Sequence, residues 1–151
     1  MTFKNQACVS THNGKNGTCF TTSECSSKGG KAFGNCASGF GVCCVFIATA
    51  GSTTINQNNS YIQNPSYPSV YSATTALTYT INKCSDDICA IRLDFEAFNI
   101  DGPTTTDETT NAHFCVDSFQ ATSSSGQSSP IICGANTGQH SKFLIRMIDL
   151  E

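Results

Sequence analysis

The sequence predicts an all-β protein, in which a small disulfide-rich knot precedes an antiparallel β-sandwich. Three observations support this class. The 151 residues include ten cysteines, which suits a stapled domain. Short runs rich in β-branched and aromatic residues alternate with turn-forming segments. No window has the spacing of a helix beyond about one turn. The chain is long enough for one average domain or two small ones.

The apolar content is low for a folded chain of this length. Leu, Ile, Val and Phe together number 30, which lies near the limit below which a sequence struggles to bury a core. The net charge is only −3, so the chain is not swollen by its own charge. Disulfides supply what the core lacks, since each covalent loop typically adds ~2–4 kcal/mol of stability.

Charge and hydropathy exclude two classes of partner. The eight Lys and Arg residues are spread along a chain of pI about 5.5, so no basic face for nucleic acid is expected. No apolar run reaches 18 residues, so no membrane span is expected either. The remaining partners are extracellular proteins, glycans or other copies of this chain.

The cysteine spacings favour disulfides over zinc. A zinc site needs two close cysteine or histidine pairs, and only Cys84 and Cys89 approach such a spacing. An even set of cysteines in a short polar chain indicates an oxidising compartment, so we expect a secreted, extracellular protein. The segment MTFKNQACVS lacks the apolar stretch of a signal peptide, so the chain is expected to start at or near a mature terminus.

The distribution of cysteines divides the chain in two. Six cysteines crowd between Cys8 and Cys44, and the next is Cys84. We therefore expect a six-cysteine module at residues 1–45 and a β-sandwich at residues 46–151. The adjacent Cys43 and Cys44 are expected to tie two separate loops to one short strand, because neighbouring cysteines rarely bond each other.

The second module is predicted to consist of strands throughout. Apolar residues alternate with charges from Ile91 to Phe95, the period of a strand with one buried face. Leu77, Tyr79 and Ile81 alternate in the same way. The predicted strands are 45–50, 60–64, 76–81, 89–98, 115–122 and 142–150.

Several segments of this module occur in a recognisable order. NPSYPSVY is followed by TYTI, IRLDFEAFNID, CVDSF and ICG. This order resembles the CUB domain over roughly Gly51–His140, and the resemblance implies an extracellular β-sandwich of jelly-roll type. The first module, which closes on GVCC, resembles an arthropod clip-type knot. A CUB sandwich continues through several strands after its Cys-Gly, whereas only Lys142–Leu150 follows here, so we expect an incomplete sandwich.

The resemblances imply a disulfide pattern. A family bridge near the start of the sandwich is absent, since Ala50 and Ala76 occupy the corresponding positions. Cys115–Cys133 corresponds to the second family bridge, and Cys84–Cys89 is expected as an additional hairpin bridge. For the first module the clip resemblance implies Cys8–Cys43, Cys19–Cys36 and Cys25–Cys44.

The resemblance also implies a calcium site, the one cofactor to consider. In calcium-binding CUB domains two acidic residues converge on the ion, and their counterparts here are Asp101 and Asp117. Carboxylate oxygens suit this cation. Asp117 follows Cys115 by two residues where the family has three, so an ordinary solvated acidic loop is the alternative.

No enzyme activity is expected. The chain has three histidines, His12, His113 and His140, and no G-x-S-x-G nucleophile elbow. Two sequons, at Asn16 and Asn58, make N-glycosylation the expected surface modification, although such short motifs also arise by chance.

Two functions from different classes fit these features. The first is a self-assembling matrix or filament subunit that joins its copies through β-strands. It is favoured by the apolar segment Phe143–Leu150, which has too few strands left to pair with, and by Met1–Ala7 as a segment to lend. The alternative is a secreted CUB-type binding or adhesion module that recognises protein or glycan.

Overall fold

The computed structural model describes residues 3–72, 75–103 and 114–144, without the side chain of Leu144. The expectation of an all-β chain is confirmed, since the described residues form nine strands, one short α-helix and a single 3-10 turn at Ala37–Gly39. Over the described residues, no helix is long and apolar enough to span a membrane. The strands are β1 Ala7–Val9, β2 Asn16–Phe20, β3 Lys31–Cys36, β4 Gly41–Ala48, β5 Thr53–Ile55, β6 Ser60–Ile62, β7 Tyr79–Ile81, β8 Ala90–Asp94 and β9 His140–Leu144, and the helix is α1 Thr22–Ser27.

The chain divides into two compact units, Met1–Ser85 and Asp86–Glu151. The expected boundary after residue 45 is wrong, because that position falls inside β4, which runs without a break from Gly41 to Ala48. The reason is that the second half of β4 pairs with β6, so residues after 45 belong to the sheet of the cysteine-rich module. The cysteine gap therefore did not mark the domain boundary.

The central strand of the first unit is β4. It lies in a sheet of order β1-β2-β4-β3, and its neighbours β2 and β3 are antiparallel to it. Six of its eight residues are buried, as expected for an apolar run flanked on both sides. Its second half pairs in parallel with β6, and a separate pair, β5 and β7, is also parallel. These parallel pairs differ from the antiparallel arrangement expected from the sequence.

The core of the first unit is built around a disulfide. Phe20, Cys25, Cys44 and Phe46 form its buried cluster, and the two phenylalanine rings meet edge to face with centroids 6.4 Å apart. Gly30 lies directly against this cluster: a Cβ there would clash with Cys44 Sγ and would lie 2.9 Å from Phe46 Cε1. Only a residue without a side chain fits at this point.

Helix α1 carries Cys25 into the core. A capping box starts it: the Glu24 N–H donates to Thr21 Oγ1 (3.2 Å), and the Thr21 N–H donates to Glu24 Oε2 (3.1 Å). Hydrogen bonds from Thr21 lower the pKa of the Glu24 carboxyl. The helix has six residues, in agreement with the absence of a longer helical pattern in the sequence.

The second unit is a curled antiparallel sheet. Strands β8 and β9 pair from Ala90↔Leu144 to Asp94↔His140, and the bridge Asn99↔Ala135 continues this ladder. The strand expected at 115–122 is present only as isolated bridges such as Phe119↔Ile132. Residues 145–150 of the last predicted strand lie outside the described residues. The all-β class is therefore confirmed, and the described strands of this unit form one antiparallel pair that isolated bridges extend.

The second unit has no deeply buried side chain among its described residues. Its most compact apolar group is the triad Phe95, Phe98 and Phe119, whose ring centroids lie 4.7–5.8 Å apart. All three residues are only part-buried. The hydrophobic contribution to the stability of this unit is therefore small by comparison with the first.

Candidate interaction surfaces

The three disulfides of the first unit are those that the clip resemblance implied. The structure contains Cys8–Cys43, Cys19–Cys36 and Cys25–Cys44. Cys43 and Cys44 are neighbours in β4, and successive side chains of a strand point to opposite faces. Each therefore ties a different segment to the central strand, β1 on one face and α1 on the other.

The second unit contains one disulfide, Cys115–Cys133. Cys115 also pairs with Pro103 in an isolated β-bridge, and Cys133 lies a few residues before β9. This disulfide bond joins the two cysteines that the CUB resemblance paired. It closes a loop of 18 residues in a unit with little buried apolar surface.

The bridge expected between Cys84 and Cys89 is not formed. Both cysteines are free and exposed. The Cys89 thiol donates to the Asp87 carbonyl oxygen at 3.5 Å, so its sulfur turns back onto its own backbone turn. The sequence spacing alone suggested a hairpin, but no hairpin ladder forms between these residues in the described structure.

We therefore expect two reactive thiols per folded chain. Iodoacetamide added without denaturant should add two carbamidomethyl groups, at Cys84 and Cys89, because exposed thiols are accessible and the other eight sulfurs are bonded. Intact-mass and peptide mass spectrometry measure this directly. Cys84→Ser should lower the count to one. Zero labels on the unmodified chain, with a Cys84–Cys89 linked peptide, would contradict it.

The two acidic residues implied as calcium ligands lie close together. The Asp101 N–H donates to Asp117 Oδ2 at 3.4 Å, and both residues are exposed. Within the described ranges, no group of three His, Cys, Asp or Glu side chains could hold a metal ion. Asp107 and Glu108, the further acidic residues of this region, lie outside the described residues.

The remaining candidate residues lie apart from one another. Of the two sequon residues, Asn16 is the exposed first residue of β2, and Asn58 is exposed in a turn. His12 stacks on Phe33 with ring centroids 5.5 Å apart, and His140 begins β9. His113 lies outside the described residues.

The β8–β9 pair presents two outer edges. The Phe95 N–H donates to the Gln139 carbonyl oxygen at 2.9 Å, which fixes the alternation of bonded pairs along the ladder. Arg92↔Lys142 is consequently a non-hydrogen-bonded pair, and the N–H and C=O groups of both residues point away from the partner strand. Among the described residues, no third strand pairs with either edge.

The two faces of β8 differ in character. Ile91 and Leu93, with Phe95 directly after the strand, are part-buried on one face, while Arg92 and Asp94 are exposed on the other. Arg92 Nε donates to Asp94 Oδ1 at 2.8 Å and Arg92 Nη2 lies 2.7 Å from the same oxygen. The hydrogen bond from Arg92 lowers the pKa of the Asp94 carboxyl, so this carboxyl stays ionised to a lower pH than an ordinary aspartate. The strand thus combines an apolar face with an ordered charged face.

The first unit has an outer edge of its own at β1. Bonded pairs at Gln6–Cys19 and Ser10–Lys15 leave the backbone of Ala7 and Val9 pointing outward, and the Val9 side chain is 62% exposed. The segment expected to be lent to a neighbour is used within this unit. Ala7 pairs with Thr18, and the Phe3 ring lies next to Gly41. Residues 3–7 are therefore not free to be lent.

A cation and two aromatic rings form a surface that was not among the expectations from the sequence. Lys15 Nζ lies 4.1 Å from the centroid of the Tyr61 ring and 5.8 Å from that of Tyr67. The Asn16 N–H donates to the Tyr61 hydroxyl at 2.8 Å, which fixes this ring against β2. Tyr67 is 46% exposed. We call Lys15, Tyr61 and Tyr67 the tyrosine patch.

Two further tyrosines lie in the same unit, so that all four tyrosines of the chain fall between Tyr61 and Tyr79. This clustering of tyrosines is the feature of the sequence from which an aromatic surface could have been predicted. The Tyr79 hydroxyl donates to the Gln63 carbonyl oxygen at 3.4 Å. Burial, with a smaller effect of Tyr71, raises the pKa of Tyr79.

A cavity of about 240 Å³ lies between the end of α1 and strands β4 and β5. Two of its hydroxyls donate to nearby backbone, Thr53 to the Ala50 carbonyl oxygen (2.6 Å) and Ser60 to the Gln57 carbonyl oxygen (2.7 Å). These donors are already used within the fold. The strand edges and the tyrosine patch are therefore the stronger candidates for an interaction site. Comparisons of the chain with protein-family models, curated proteins and solved structures found no match.

Proposed function

We propose that this protein is a non-enzymatic, extracellular structural subunit whose copies assemble through β-strands. The outer edge of β9 carries this proposal. Lys142 directs its backbone N–H and C=O away from β8, and no other described strand satisfies them. Such an edge is a template for a strand from another copy.

The energetics of the second unit favour the same conclusion. A two-stranded antiparallel pair is marginally stable by itself and needs a third strand or a covering layer. On the apolar face of β8, Ile91 and Leu93 are only part-buried, as is Phe95 directly after the strand. A strand added by a second copy would extend the hydrogen-bonded ladder and cover more of this face, at about 25 cal/mol per Å² of apolar surface removed from water.

The extracellular location and the CUB-like fold are parts of this proposal. Four disulfides support an oxidising compartment, where such bonds persist. The antiparallel ladder and Cys115–Cys133 of the second unit are compatible with part of a CUB-like jelly roll. In the proposed assembly, strands of neighbouring copies complete this sheet.

Proline at the outward position of β9 tests the proposal. Lys142→Pro removes an N–H that points away from β8 and so leaves the β8–β9 bonds in place, because proline is tolerated on edge strands. We expect assemblies to disappear from negative-stain images and the chain to elute as a monomer. Lys142→Ala is the matched control, since it removes the charge but keeps the N–H, and it should still assemble.

The fold of each variant is checked by mapping its four disulfides. If Lys142→Pro assembles as well as Lys142→Ala, copies do not associate through the β9 edge. The proposed function would then lose its main structural support.

The tyrosine patch favours a second candidate, a binding or adhesion module for extracellular protein or glycan. Tyrosine is common at recognition surfaces, Tyr67 is exposed, and Lys15 adds a positioned charge. The two candidate functions differ in the expected oligomeric state. A binding module is a monomer that retains an external ligand, whereas a structural subunit binds its own copies. Tyr67→Ala would weaken ligand retention in the first case.

A further inference from the structure

The two units carry opposite charge. Residues 1–85 contain five lysines and a single carboxylate, Glu24, whereas residues 86–151 contain ten carboxylates against Arg92, Lys142 and Arg146. With neutral histidines the first unit has a net charge of +4 and the second of −7. The overall value of −3 conceals this asymmetry.

The carboxylates of the second unit lie at its surface. Every described Asp and Glu of this unit is exposed: Asp86, Asp87, Asp94, Glu96, Asp101 and Asp117. A surface of this sign repels a second surface like itself, since like charges in contact cost several kcal/mol. Two second units therefore do not favour each other as partners.

On the first unit, Lys15 is the lysine best placed to act at an interface. Its ammonium is positioned against the Tyr61 and Tyr67 rings, so little further side-chain entropy is lost when it meets a partner. Tyr67 and Val9 add exposed apolar surface on the same unit. Interfaces combine such rings with a complementary charge.

We propose that copies of this chain associate head to tail, with the positive tyrosine patch of one copy against the negative second unit of the next. The occupant of the patch is thus a second copy, chosen by charge complementarity. A heterologous contact of this kind leaves one patch and one acidic unit unused, so that further copies can add there. This inference rests on the proposed self-assembly and gives it a polarity.

Salt and a charge reversal test the proposal on the full-length chain. Exposed charges are screened beyond about 10 Å at 0.1 M salt and beyond about 3 Å at 1 M. Sedimentation velocity at low and high NaCl should therefore show association that weakens by about tenfold or more at high salt. Lys15→Glu should weaken association at low salt to a similar degree.

Lys4→Glu is the matched control, because it makes the same charge change at an exposed lysine of the same unit but outside the patch. It should weaken association much less than Lys15→Glu does. Mapping of the disulfides in both variants excludes misfolding as the cause.

The outcomes separate this inference from the proposed function. Association that is insensitive to both salt and Lys15→Glu would overturn the head-to-tail contact while leaving strand-mediated assembly intact. Equal effects of Lys4→Glu and Lys15→Glu would also overturn it, because overall charge and not the patch would then control association. A chain that is monomeric at every salt concentration would overturn both.

Discussion

Gly30→Ala is expected to destabilise the first unit by about 3 kcal/mol, near the upper end of the cost of overpacking a core. The added Cβ clashes with Cys44 Sγ and lies 2.9 Å from Phe46 Cε1 and 3.1 Å from Cys25 Sγ. These atoms belong to the buried cluster and to the disulfide that holds it, so none can move without disturbing the core.

Gly29→Ala is the matched control for this prediction. A Cβ at Gly29 meets no atom within 4 Å, but its φ of +76° is a conformation that alanine adopts at a cost of roughly 1–2 kcal/mol. Hydrogen exchange of the β4 amides gives the free energy of opening for both variants. If Gly30→Ala proved no more destabilising than Gly29→Ala, the close packing at this point would be wrong.

Loss of the Cys115–Cys133 bond is expected to unfold the second unit while the first stays folded. A bond that closes a loop of this length contributes about 3 kcal/mol through the entropy of the unfolded chain. The second unit has no deeply buried side chain among its described residues to offset that loss. The first unit keeps its three bonds and its buried cluster.

Two-dimensional NMR of the Cys115→Ala/Cys133→Ala variant measures this effect. Resonances of the second unit should collapse to random-coil positions, while those of β2 and β4 remain dispersed. Cys84→Ala/Cys89→Ala also removes two cysteines, but these are unbonded, so its spectrum should match that of the unmodified chain. A variant without Cys115–Cys133 that retains a dispersed second unit would show that other contacts hold it.

Local patterns in the sequence predicted the features that depend on neighbouring residues. The alternation from Ile91 to Phe95 predicted a strand with one apolar face, and β8 has that alternation of part-buried and exposed residues. The adjacency of Cys43 and Cys44 predicted bonds to separate segments, since neighbouring side chains of a strand face opposite ways.

Features that depend on long-range pairing could not be predicted from these patterns. The parallel pairing of β4 with β6 places the residues after Val45 in the first unit, which the sequence did not predict. Nothing in the apolar run around Val45 specifies which strand will pair with it. Asn16 and Tyr61 lie 45 residues apart, so the tyrosine patch forms only when the fold brings β2 and β6 together. The three residues of β5 are too few to produce a pattern.

Assembly of copies of this chain can be measured directly by a concentration series in sedimentation velocity. The purified, unmodified protein is examined at low salt with its disulfides intact. We expect a weight-average mass that rises with concentration from the 16.0 kDa of one chain toward multiples of that mass. A single species of 16.0 kDa at every concentration would contradict it.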